Sequence, residues 1–155
     1  MSFNLTSPVT GQAQTGLTGP TYTLTADTAP GPNAKQWAVT ALGGTQTGVD
    51  THSVARPFTI TVWKPLIARI LGMINVLTGR VSSVPKNQYT VLTRKGVTPL
   101  AGQPSEIAIF ETRMAIPAGS DLADPANLRA ALSAHFGALV QQSAGIGDMV
   151  VTGLA

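Results

Sequence analysis

The sequence predicts an α+β fold in two layers, an antiparallel sheet followed by an amphipathic helix that packs over a sheet face. Three observations lead there. Short alternating segments separated by Gly, Pro, Asn and Asp recur between residues 21 and 117, which is the period-two pattern of half-buried strands. Behind Asp124-Pro125 the apolar spacing changes to that of a helix. Finally, 155 residues with 43% apolar and 11% charged content are enough for one buried core and too apolar for a disordered chain. A helix that follows the last strand is free to pack on a neighbouring subunit, so a building block is expected rather than a catalyst.

Each element has its own signature. Residues 21–25 and 36–42 carry β-branched and aromatic side chains and flank the turn formers of 27–33. In 58–63 the alternation is clean: Phe58, Ile60 and Val62 share one face, Thr59, Thr61 and Trp63 the other, with Pro57 and Pro65 as brackets. Residues 66–77 place Leu66, Ile67, Ile70, Leu71, Ile74 and Leu77 at helical spacing, yet Pro65, Gly72 and Gly79 argue for interruption. The segment reads equally as a short helix or an extended insertion. Residues 88–95 form the next strand, and Gly96–Pro104, with two prolines and two glycines, a loop of several accessible conformations. The last strand is 105–117. A helix over about 125–142 starts with Asp124 as cap and Pro125 at the first position, and its stripe is Leu128, Ala131, Leu132, Phe136, Leu139 and Val140. Gly145-Ile146-Gly147 is expected to end or kink it, and 148–153 to add one further short turn.

Composition narrows the function. Much of the polar surface is uncharged Thr, Ser and Gln, which suits close subunit packing. A net charge of +3 and a pI near 9.7 are compatible with a polyanionic partner without demanding one. Without cysteine there is no disulfide, thiolate metal site or cysteine nucleophile. The amino terminus lacks a positive and then apolar signal pattern, and 66–77 is too short to span a bilayer, so a soluble protein made in a cytoplasm is expected.

No catalytic constellation stands out. His52 sits in a loop and His135 beside the helical stripe, without metal-ligand spacing. The seven acidic residues are scattered, and Gly43-Gly44 and Gly145-Ile146-Gly147 lack the context of a phosphate loop. The expectation is no enzyme, no cofactor and no metal.

Element order carries a resemblance. The strand ending in Ala115-Ile116-Pro117, the small-residue turn, the Asp124-Pro125-Ala126-Asn127-Leu128-Arg129 helix start, Gln141-Gln142-Ser143-Ala144-Gly145 and Thr152-Gly153-Leu154 together resemble the coat proteins of single-stranded RNA bacteriophages, the levivirus-like group. Asn87–Val97 and the loop after it resemble that family's penultimate strand and its loop at the symmetry axes. The likeness covers roughly 50–155, and the amino-terminal third only by architecture.

This resemblance implies a single coat domain over 1–155: an amino-terminal β-hairpin to about residue 30, a five-stranded antiparallel sheet within 35–117 and a helix pair over 124–153. It further implies an obligate homodimer with a ten-stranded sheet and helices laid across the partner. Such dimers close into a T=3 icosahedral shell around single-stranded genomic RNA, assembled in the bacterial cytoplasm, with no membrane partner. In many members a dimer also binds an RNA hairpin and represses translation. The alternative from the same residues is a dimeric β-sheet RNA-binding protein that does not close into a shell.

Alternation assigns the faces. Phe110, Thr112, Met114 and Ile116 should meet the helices, leaving Ile109, Glu111, Arg113 and Ala115 on the other side. Matched by motif, Thr90, Leu92, Arg94, Ile109, Glu111 and Arg113 fall at the family's RNA-facing positions, and Thr59, Thr61 and Trp63 extend that surface. The arginines would bind phosphate, the threonines add neutral hydrogen bonds and Trp63 stack a base. Leu92 and Ile109 depart from a polar hairpin-reading surface, which favours general RNA contact over operator recognition. In the plainer reading Arg94 and Arg113 pair with Glu111 or stand in water, and Trp63 packs.

Overall fold

The structure, a computed structural model, describes residues 3–155. Residues 1 and 2 of the expected hairpin lie outside them. The chain forms β1 (Val9–Thr10), β2 (Thr18–Asp27), β3 (Ala34–Thr45), β4 (Phe58–Trp63), β5 (Lys86–Val97) and β6 (Glu106–Pro117), then α1 (Ser120–Ala123), α2 (Pro125–Gln141) and α3 (Ser143–Thr152). The strands make one antiparallel sheet in chain order. The expected α+β class is present, but the strands are distributed differently: β3 to β6 give four strands rather than five over 35–117, and β1 and β2, where a separate amino-terminal hairpin was expected, join them in one six-stranded sheet. β2 pairs with β3 from Thr18↔Thr45 to Asp27↔Gln36, through two register shifts that absorb extra residues.

The core lies on one face at the β1–β4 side. Leu24, Trp37 and Val39 are buried there, with Leu5, Val9, Tyr22, Leu42, Phe58, Ile60 and Val62 packed around them. This is the Phe58, Ile60 and Val62 face that alternation selects. Towards β6 the same face is open: Tyr89 and Phe110 are exposed.

The α2 start follows the sequence. Asp124 accepts from the Asn127 amide at 3.4 Å and from the Asn127 side chain at 2.8 and 2.9 Å, with Pro125 opening the helix. The helix break departs from expectation. It falls at Gln142, whose backbone is non-helical, and both Gly145 and Gly147 lie inside α3. Gly147 is there to admit a neighbour: a Cβ would stand 2.0 Å from the Gln14 side-chain oxygen. Gln14 in turn donates to the Ser143 carbonyl at 2.8 Å and to its hydroxyl at 2.7 Å.

No residue of α2 or α3 is buried. Leu128, Leu132 and Phe136 line an open groove of about 800 Å³ with Val62, Tyr89, Val91, Met114 and Ile116. This half of the expected stripe faces the sheet without closing on it, while Ala131, Leu139 and Val140 are exposed outside the groove.

Residues 66–77 are not helical. From Lys64 to Pro85 the chain is irregular, apart from a single bridge between Ile74 and Val81. Gly96, expected to open a flexible loop, belongs to β5 and is buried. A Cβ on it would lie 2.7 Å from the Arg56 Cα, so glycine is required by the close approach of the β3–β4 loop.

Candidate nucleic-acid interface

The register gathers the predicted residues into three cross-strand rows: Thr59, Arg94 and Ile109; Thr61, Leu92 and Glu111; and Trp63, Thr90 and Arg113. They sit on the parity opposite to Phe58, Ile60 and Val62. On β3 the rows continue through Ala38, Gln36 and Ala34, and Asp27 pairs with Gln36 on β2. Gln36 and Asp27 were not among the expected residues, although the alternation of 36–42 places Gln36 on a definite face.

Gln36 is the hub of this surface. Its amide nitrogen donates to Asp27 Oδ2 at 2.7 Å, while its amide oxygen accepts from Thr61 Oγ1 at 2.8 Å and from an Arg94 Nη at 3.3 Å. The Asp27 carboxyl is held below its ordinary pKa, first by the hydrogen bond from Gln36 and then by that from the Thr28 amide. Arg94 thus takes an amide partner rather than Glu111.

Arg113 does pair with Glu111. Its Nε and one Nη both lie 3.0 Å from Glu111 Oε1, and the Arg113 side chain stays 62% exposed. Such a pair contributes roughly 0–1 kcal/mol and gives way readily to another anion.

The threonines behave differently from expectation. Thr59 and Thr61 are each 1% exposed. Short side chains on a central strand are shaded by longer neighbours in their rows, Arg94 for Thr59 and Gln36 and Leu92 for Thr61. They offer little surface to a ligand. Among the described residues Thr59 Oγ1 nevertheless has no hydrogen-bond partner, nor has Nε of the directly paired Arg94, although both atoms are buried. Two buried donors left unpaired on cross-strand neighbours are costly, and neither atom is open to a ligand on this surface.

Trp63 belongs to its row by register, but its ring rests on the β2–β3 turn. A Cβ at Gly31 would lie 3.3 Å from Trp63 Cζ3, and Trp63 borders the apolar groove. Packing is its visible role. Thr90 and Leu92 are half-buried, Ile109 exposed.

At one end of the sheet the β5–β6 loop is tied to the β3–β4 loop. Arg56 pairs with Asp50 and donates to Thr98 Oγ1 at 2.6 Å, and Ser105 Oγ donates to the Ala55 carbonyl. Lys95 lies over the Phe58 ring, 4.7 Å from its centroid, and donates to the Asp50 carbonyl at 2.7 Å. Burial is the main cause of its lowered pKa.

No family model matches the chain, and no curated protein sequence matches it either. Solved structures do. The chain is similar to the subunit of the virus-like particle of bacteriophage ESE020, at 50% identity over 99% of this chain and 100% of that one, with a TM-score of 0.96. It shares a fold with the virus-like particle of Beihai levi-like virus 32, at 13% identity, TM-score 0.51, and coverage of 86% and 88%.

Proposed function

The chain belongs to the coat proteins of the levi-like single-stranded RNA bacteriophages, and from that membership we propose that it assembles as homodimers into a closed icosahedral shell around the viral RNA. Its role is structural and its place is the virion.

One observation carries the dimer reading: β6 is a 12-residue edge strand with β5 on one side only. An edge of this length, with Ile107, Ile109 and Phe110 exposed and without an interior proline, lysine or bulge, is open to pairing although Glu106, Glu111 and Arg113 lie on it. The opposite edge, β1, has only two residues. Two β6 edges joined about a twofold axis give a twelve-stranded sheet, two strands wider than the ten that five-stranded subunits would make. The unburied stripe of α2 supports a partner that completes the helical layer.

RNA is proposed to meet the Arg94 and Arg113 face of this sheet. Arg113 carries an exchangeable surface ion pair, and Arg94 a half-buried guanidinium held by one long hydrogen bond to Gln36. Phosphate is the ligand such groups prefer. The apolar Leu92 and Ile109 favour backbone contact over base reading, so translational repression through a hairpin is the less supported part of the family reading. Assembly in the host cytoplasm is part of the same proposal.

Sedimentation of the protein under conditions that dissociate particles tests the dimer. A folded species of twice the subunit mass with slow amide exchange along β6 is expected. Folded monomers whose β6 outer amides exchange freely would refute it.

A further inference from the structure

The segment between β4 and β5 is an ordered arm with an uncovered apolar surface. Its two limbs are held together by Gly72 N–H to the Ser83 carbonyl at 3.0 Å, Ser82 N–H to the Met73 carbonyl at 2.9 Å and Asn75 N–H to the Arg80 carbonyl at 2.8 Å. Asn75 Oδ1 accepts from the Leu77 and Thr78 amides at the tip. The limbs are close enough that a Cβ on Gly72 would come 2.5 Å from two serine hydroxyls. The base is fixed as well. Asn87 Oδ1 accepts from the Arg69 amide at 2.7 Å, its Nδ2 donates to the Arg69 carbonyl at 3.1 Å, and Leu71 lies against Gly119.

The side chains on this scaffold point away from the rest of the chain. Ile67, Ile70, Met73, Ile74, Val76 and Leu77 are between 65 and 96% exposed. Soluble surfaces rarely leave so large a contiguous apolar patch in water. Since the arm's backbone is ordered without burying those side chains, their burial is reserved for something outside the subunit.

We propose that the arm, residues 66–84, is an assembly clasp covered in the particle by a second copy of this chain. The area fits: with Leu66, Leu71 and Val84 added, the arm presents on the order of 1,000 Å², against about 800 Å² that each side of a standard interface buries. Its position fits too. Through Leu71 and Gly119 the arm is rooted beside the start of the helical segment, so it continues the surface proposed above to meet a partner. Its chemistry separates a protein partner from RNA, because the only charges in 66–84 are Arg69 and Arg80 among ten large aliphatic and Met side chains. The proposal rests on the shell reading and adds a specific intersubunit contact to it.

Since the sequence has no cysteine, a Val76→Cys variant carries a unique thiol whose maleimide labelling can be timed in intact particles and in dissociated, folded subunits. Labelling slower in particles by about tenfold or more is expected for a tip excluded from water. Equal rates would overturn the clasp. A second variant, Val76→Asp with Leu77→Asp, should keep the wild-type circular dichroism yet give no particles, or particles that dissociate at clearly lower denaturant. Unchanged yield and midpoint would count against the clasp, as would flotation of intact wild-type particles with phosphatidylcholine–phosphatidylglycerol vesicles, abolished by the same variant. Failure of the unsubstituted protein to form particles would instead refute the shell reading itself.

Discussion

Gln14 and Ser143, 129 positions apart, are joined by two hydrogen bonds from one side-chain amide, to the carbonyl and to the hydroxyl of Ser143. The contact fixes the point where α2 gives way to α3 against the β1–β2 turn. It is the chain's own anchor for a helical layer that buries none of its residues. Gln14→Ala removes both bonds and is expected to lower the stability of the dissociated subunit by about 1–2 kcal/mol. Amide exchange of α3 should accelerate with it; unchanged α3 exchange would show that the anchor is idle.

Two neighbouring buried threonines should respond oppositely to the same substitution. Thr61 donates to Gln36, so Thr61→Val should cost about 1 kcal/mol. Thr59 Oγ1 has no partner among the described residues, so Thr59→Val should be neutral or stabilising by up to about 1 kcal/mol in RNA-free subunits. Denaturant midpoints of the two variants decide it, and a larger loss at position 59 than at 61 would contradict the assigned hydrogen bonds.

Charge introduced at the open edge tests the dimer. Ile107→Asp with Ile109→Asp places like charges on both copies of β6 and should shift sedimentation from dimer to monomer while the circular dichroism is retained. Dimers of undiminished affinity would place the interface elsewhere.

Arg113→Ala removes an exposed pair and should change subunit stability by less than about 1 kcal/mol. Its effect belongs to RNA binding: the slope of log affinity against log salt should fall in magnitude by about 0.7–1 per lost phosphate contact. Arg94→Ala should lower the slope similarly and also weaken the subunit, since it unpairs Gln36 on that side. Filter binding across a salt series measures both, and unchanged slopes would remove this face from the RNA contact.

Asp27 gives the sheet a defined acid response. Its folded pKa lies below the ordinary aspartate value of about 4, so the folded state binds the proton less readily than the unfolded chain. The stabilisation it brings is full above the unfolded pKa and is lost as pH falls through the lowered folded value. Asp27→Asn should flatten stability between pH 4 and pH 2 relative to wild type, as followed by urea unfolding. An identical acid limb in the variant would contradict the hydrogen-bonded carboxylate.

The legible parts of the fold were those set by local pattern. Residues 58–63 are a strand to the residue, and the Asp124-Pro125 start and the parity of β5 and β6 follow from spacing alone. The joining of the amino-terminal hairpin to the sheet was not legible, because it depends on a register with two shifts. The 66–77 arm misleads for a physical reason: its apolar spacing matches a helix stripe, but apart from Leu71 against Gly119 its large apolar side chains stay mostly uncovered among the described residues. In the candidate site, alternation set the faces within each strand, the family resemblance selected nine residues as one surface, and the register brings them into shared rows. Alternation could not reveal that Thr59 and Thr61 are shaded by row neighbours, or that Gln36 links Asp27 to Arg94, since both depend on side-chain reach across strands.

Electron microscopy of the protein expressed alone in bacteria, with nuclease treatment before extraction of nucleic acid, tests the central claim most directly. The account predicts closed particles of uniform size that protect RNA. Folded, soluble dimers that form no particles at any ionic strength and protect no RNA would contradict it.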